Sequence, residues 1–196
     1  MRSLTDRPVE RAVRMVCGLA LFGFCLAMLV KADLGADPWT VLTQGVARLT
    51  GLSLGQVVIG TSLLLLLLWI PLRQRPGPGT FANALLVGPF LDLGMAWIPD
   101  VHQMAARIAL LVAAIPGVAV ATGLYMGAGL GAGPRDGVMT GLAERGTPVG
   151  VARAGIELSV LIVGRLLGGS VGVATVAFAL AIGPLVGYFL PRLRIR

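Results

Sequence analysis

Charge is scarce in this sequence. Only 13% of its 196 residues are Asp, Glu, Lys or Arg, against about 25% in soluble proteins. That scarcity, with 56% hydrophobic residues and a mean hydropathy of +0.88, argues against an ordinary soluble domain. There are two cysteines and one histidine. Cys17 and Cys25 stand eight residues apart within one apolar run, too far along a helix to bridge each other, so they read as small packing residues. No metal-ligand cluster, phosphate loop or dinucleotide fingerprint is present, and no cofactor is expected.

Long apolar runs are abundant. Six are near the roughly 20 residues that cross a hydrocarbon core, at about 12–31, 52–71, 81–98, 107–128, 150–168 and 171–190. Little chain is left for anything else. The first run is longer than a signal peptide's usual apolar region and no clean cleavage site follows it, so it reads as a retained membrane helix. The net charge of +7 reflects Arg at helix ends and not nucleic-acid binding. With the N-terminus inside and six crossings, twelve basic residues fall inside. These are Arg2, Arg7, Arg11, Arg14, Arg73, Arg75, Arg135, Arg145, Arg153, Arg192, Arg194 and Arg196. Only Lys31, Arg48, Arg107 and Arg165 fall outside, so both termini are expected in the cytoplasm and the chain in the plasma membrane.

One stretch occurs twice. Leu34-Gly35-Ala36-Asp37-Pro38 and Leu130-Gly131-Ala132-Gly133-Pro134 each follow an apolar run and precede about twelve residues of helical pattern. Asp37 suits an N-cap and Pro38 the first helical position. An offset of 96 aligns Gly35 with Gly131, Pro38 with Pro134 and Gly45 with Gly141. After a one-residue gap at Thr50, an offset of 95 aligns Gly55 with Gly150, Gly60 with Gly155, Thr80 with Thr175, and Gly88-Pro89 with Gly183-Pro184. The expected fold is an all-α, single-domain bundle of two repeats, about 12–99 and 107–191, each with three spans and a short extra helix. Three is odd, so the second repeat enters the membrane upside down, as in several secondary transporters.

The halves differ where charge enters. Val58 aligns with Arg153, Ser62 with Glu157, and Asp92 with Gly187. A charge deep in a bilayer costs about 2.5 kcal/mol or more and normally faces protein or water. Asp92 is expected in a helix interface or a central cavity. Arg153 and Glu157, four residues apart, read first as a local ion pair with Arg153 reaching for the surface, and second as a cavity pair with Glu157 carrying a proton or cation. The simpler expectation for the two short helices lays them as amphipathic connectors on opposite membrane surfaces. The functional one makes them broken segments whose N-termini receive an anionic group. The second copy, Gly133, Pro134, Arg135 and Asp136, is then the better binder than Asp37 and Pro38.

The Leu34–Trp39 stretch, Gly79-Thr80 before the third span and the Gly-rich second copy through Pro134 resemble the YczE/YitT-type small bacterial membrane proteins. The resemblance implies a polytopic plasma-membrane protein and carries over no activity and no catalytic residues.

An enzyme is not expected. Gly51–Gly55 and Gly168–Gly172 both match Gly-x-Ser-x-Gly, but neither sits on a strand-turn-helix elbow. An intramembrane serine hydrolase would need His102 to reach Ser53 or Ser170. The reading that follows is a small transporter for an anionic or zwitterionic solute, with the lipid bilayer as its surroundings and a homodimer compatible with its size. The alternative is a non-transporting protein that modulates another through its helices, loops and Arg-rich tail.

Overall fold

The computed structural model describes residues 7–195; Arg2 and Arg196 of the charge tally lie outside them. Eight helices follow in order: α1 (Pro8–Ala32), α2 (Pro38–Thr50), α3 (Leu54–Leu72), α4 (Pro78–Trp97), α5 (Met104–Gly127), α6 (Pro134–Ala143), α7 (Val149–Leu166) and α8 (Val173–Leu193). The chain's own punctuation sets their ends. Pro opens α1, α2, α4 and α6, where a missing N–H costs nothing. Ser53 and Gln56 form a capping box on α3.

Five helices, α1, α3, α4, α5 and α8, are long and apolar enough to cross a membrane. The sixth expected span, α7, is 18 residues long but carries Arg153, Glu157 and Arg165, and so falls outside that group. Large apolar side chains are exposed around the bundle, among them Leu64, Leu67 and Ile70 on α3, Val112 on α5, Leu158 and Ile162 on α7, and Val176 and Leu180 on α8. Such a surface suits lipid.

Helices α1 and α5 form the core, through Leu19, Leu26, Leu29, Ala114, Ile115 and Val118. Helix α4 packs on α1 and α8 on α5; α7 packs on α2 and α3 on α6. The contacts are close because small residues stand at the crossings. A Cβ on Gly23 of α1 would lie 2.8 Å from the Leu91 amide of α4, and one on Gly164 of α7 would lie 2.5 Å from the Leu42 amide of α2.

Positions related by the offset make matching contacts. The Ala174 amide donates to the Leu34 carbonyl at 2.9 Å, and the Gly79 amide donates to the Leu130 carbonyl at 2.9 Å. Gly77 and Gly172 each donate to the hydroxyl three residues on, Thr80 and Thr175, at 3.2 Å. Arg107 donates to the Ala32 carbonyl and Arg11 to the Ala128 carbonyl, each holding the end of the other central helix. Gly35 and Gly131 both need positive φ, +100° and +132°, to turn the chain into α2 and α6.

The bundle has two distinguishable ends. At one, Arg14 donates to the Leu193 carbonyl and Arg145 to the Leu72 carbonyl. At the other, Lys31 meets Asp100, Arg107 meets Asp33, and Arg48 donates to the Gly168 carbonyl.

Candidate functional site at the meeting of two short helices

Helix α2 runs from the bundle's interior to the Arg48 end, and α6 runs from the interior to the Arg145 end. Their starts meet. Asp37, Pro38 and Trp39 line one side of a cavity of about 220 Å³, and Gly133, Pro134, Arg135 and Asp136 line the other. The expectation of two separate surface helices fails at these N-terminal ends.

Asp37 caps α2, its Oδ2 accepting from the Thr40 amide at 3.3 Å. The same oxygen lies 3.8 Å from Arg135 Nη1. The Arg135 guanidinium sits 5.0 Å from the Trp39 ring centroid, within cation–π range. One residue further on, Asp136 accepts from the Tyr125 hydroxyl at 3.2 Å. Trp69 fixes the start of α6 by donating from Nε1 to the Pro134 carbonyl at 2.9 Å. Two buried polar atoms are left without a partner among the described residues, Asp37 Oδ1 and Trp39 Nε1. One calls for a donor and the other for an acceptor.

Arg153 and Glu157 form the expected ion pair, 2.9 Å between Nε and Oε1, and both line the cavity. The local pair and the cavity position, weighed as alternatives, hold together. Apolar side chains line much of the rest, among them Phe22, Leu26, Val87, Val118, Phe178 and Ile182. Ser62, Asn83, Thr122 and Tyr125 add neutral polar groups. The arrangement offers charges of both signs, two helix N-termini with partial positive charge, and an apolar face.

Of the two places expected for Asp92, it takes the helix interface and not the cavity. It lies at the seam of α3 and α4, where Oδ1 accepts from the Gly55 amide at 2.8 Å and Oδ2 accepts from the Ser53 hydroxyl at 2.5 Å. The free N–H groups at the start of α3 take up its charge. Ser53 is thereby engaged, and no hydrogen bond joins His102 to Ser53 or Ser170 among the described residues. His102 and Ser170 share a polar depression at the Lys31 end with Asp33, Asp100 and Arg107. Among the described residues no three His, Cys, Asp or Glu side chains gather to hold a metal ion.

Sequence reasoning passed over Asn83 and Tyr125. Asn83 had a signal, since an amide inside an apolar span marks a functional position by default. Tyr125 had none, because its partner comes from the next helix.

Residues 9–191 match the model of a family described as "Family of unknown function (DUF6198)". The chain belongs to this family. It is 36% identical over 177 residues to an "Uncharacterized protein" of Haemophilus influenzae, covering 90% of this chain and 81% of that one. It is 29% identical over 179 residues to the "Uncharacterized membrane protein YczE" of Bacillus subtilis, covering 89% and 83%. The YczE-type resemblance therefore stands, and with it the membrane class. No solved structure matches.

Proposed function

We propose that this membrane protein moves a small anionic or zwitterionic solute through the cavity where α2 and α6 meet. One observation carries the reading: the N-termini of two short helices, one from each half of the chain, converge on a central cavity with Arg135, Arg153, Asp37, Asp136 and Glu157 around it. Charges so placed are costly in a bilayer and normally face protein or water. Broken helices that aim their N-termini at a central site are a recurring way of holding an anionic group.

The same reading makes α7 the sixth crossing, its charged face turned to the cavity. It makes the chain two inverted repeats, in keeping with the matching contacts of Arg11 with Ala128 and Arg107 with Ala32. The Arg-rich end then faces the cytoplasm of a plasma-membrane protein. Within the cavity, Arg135 and Arg153 hold a carboxylate or similar anion. The carboxylates of Asp37 and Glu157 take a cationic or N–H group, and the apolar wall receives the remainder.

The test is uptake and counterflow in proteoliposomes with a pooled panel of metabolites. At least one acidic or zwitterionic solute should accumulate above protein-free liposomes, and Arg153→Ala should lower its flux tenfold or more while the protein stays folded. Flux indistinguishable from protein-free liposomes across the panel would overturn the reading.

A further inference from the structure

Two aligned glycine positions are used in opposite ways in the two halves. In the first, Gly55 of α3 and Gly88 of α4 stand backbone to backbone, and a Cβ on either would overlap the other's carbonyl oxygen. Asp92 ties this seam to the start of α3. In the second half the offset places Gly150 on α7 and Gly183 on α8. Neither has an atom within 4 Å of where its Cβ would stand, and the same holds for Gly187, which replaces Asp92. Helices α3 and α4 pack along their length, while α7 and α8 show no comparable packing among the described residues. The closed seam lies at the Lys31 end and the open one at the Arg-rich end. Beside the open seam the cavity is lined by Arg153 and Glu157 on α7 and by Val186 and Leu190 on α8.

Glycine inside a helix is unfavourable unless a close approach requires it. Gly55 and Gly88 meet that requirement, whereas Gly150 and Gly183 are exposed and meet nothing in this arrangement. We propose that the structure is one of two states that exchange these seams. In the other state α7 closes on α8 with Gly150 against Gly183, α3 withdraws from α4, and the cavity opens toward the Lys31 end. This rests on the transport reading and supplies its access mechanism. Asp92 biases the exchange, because only the first seam has a carboxylate to hold it shut. Losing that latch moves population toward the second state.

The test is cysteine accessibility in the full chain, in sealed vesicles of known orientation, with Cys17→Ser and Cys25→Ala as background. A single Thr122→Cys or Ser62→Cys places a thiol in the cavity wall. A membrane-impermeant maleimide should label it mainly from the Arg-rich end. Adding Asp92→Asn should raise labelling from the Lys31 end several-fold and lower it from the Arg-rich end. Separately, a Gly150→Cys, Gly183→Cys pair treated with an added oxidant should form an intramolecular disulfide and abolish labelling from the Arg-rich end. Gly183→Leu, which blocks closure without touching the first seam, should keep the access of the parent even with Asp92→Asn. Unchanged one-sided labelling in the Asp92→Asn variant would overturn the proposal. So would a Gly150–Gly183 pair that links only between two chains, which would make this face a dimer contact. Labelling needs no solute. Exchange of access without uptake would therefore sink the transport reading alone, and uptake with fixed access would sink only the exchange.

Discussion

Helices α2 and α6 solve one packing problem with reversed parts. Where α2 brings the backbone of Val41 and Leu42 close, its partner α7 supplies Gly164, whose Cβ would collide with the Leu42 backbone. Where α6 presents Gly137, its partner α3 supplies Trp69, which fills the space and donates to the Pro134 carbonyl. The offset relates Val41 to Gly137 and Trp69 to Gly164. Bulk moves from one helix to the other between the two crossings, and the crossing with Trp69 carries the larger side chain. Two halves with the same backbone plan can thus diverge in sequence, provided that the change on one helix is matched on its neighbour.

The largest expected effects come from breaking the two crossings. Gly164→Val drives a side chain into backbone that cannot give, and should cost about 3 kcal/mol, read as loss of thermal stability in detergent. Gly137→Val drives its side chain into the Trp69 ring, which is buried and tied to the Pro134 carbonyl, and should cost a similar amount, about 2–3 kcal/mol. Trp69→Gly alone removes a buried indole and should cost about 3–5 kcal/mol, and adding Gly137→Val to it rebuilds the pairing of the other half and should recover part of that loss. Recovery will be incomplete because Val is smaller than Trp and the hydrogen bond to Pro134 stays lost. If the double variant is less stable than either single one, the volume exchange is not what joins the two crossings.

The caps separate structure from function at the same two helices. Asp37→Asn keeps an N-cap acceptor, so stability should shift by only a few tenths of a kcal/mol, whereas Asp37→Ala should cost about 1 kcal/mol. Both remove the charge beside Arg135. Solute flux in proteoliposomes should therefore fall alike in the two, while their melting temperatures differ. Flux that tracked stability instead would mark Asp37 as a cap only.

The smallest effect is expected at the Lys31 end. The Lys31 ammonium, hydrogen-bonded to Asp100 at 2.6 Å, holds that exposed carboxyl below its ordinary range. A carboxyl with a lowered folded-state pKa adds stability above its ordinary pKa, and that contribution fades as the pH falls through the folded value. Asp100→Asn should barely change the melting temperature at pH 7, and the two proteins should converge further toward pH 3. A large difference at neutral pH would show this exposed pair to be more than a surface contact.

Much of the architecture was legible in order along the chain. Apolar runs located the long helices, because a residue's transfer preference and a 1.5 Å rise are local properties. Asp37 and Pro38 began α2 as read, since capping is decided within four residues. The pairing of Arg153 with Glu157 was legible for the same reason, one helical turn. Asp92 was not. Its partners, Ser53 and Gly55, lie 39 and 37 residues away, and a lone carboxylate in an apolar run looks the same whether it caps a neighbour or lines a cavity. The charge of α7 was visible, but not the direction in which it points.

By itself the sequence determined the membrane class, the helix order and the offset that relates the two halves. Each depends on hydrophobicity, backbone punctuation or identity at a register, all of which act over a few residues. Tertiary structure alone decided that α2 and α6 meet at their starts, that Asp92 closes a seam, and that Gly150 and Gly183 stand apart. Those outcomes depend on depth and on distances between helices. A one-dimensional pattern carries no such information, because the same small residue that permits a close approach does not compel one.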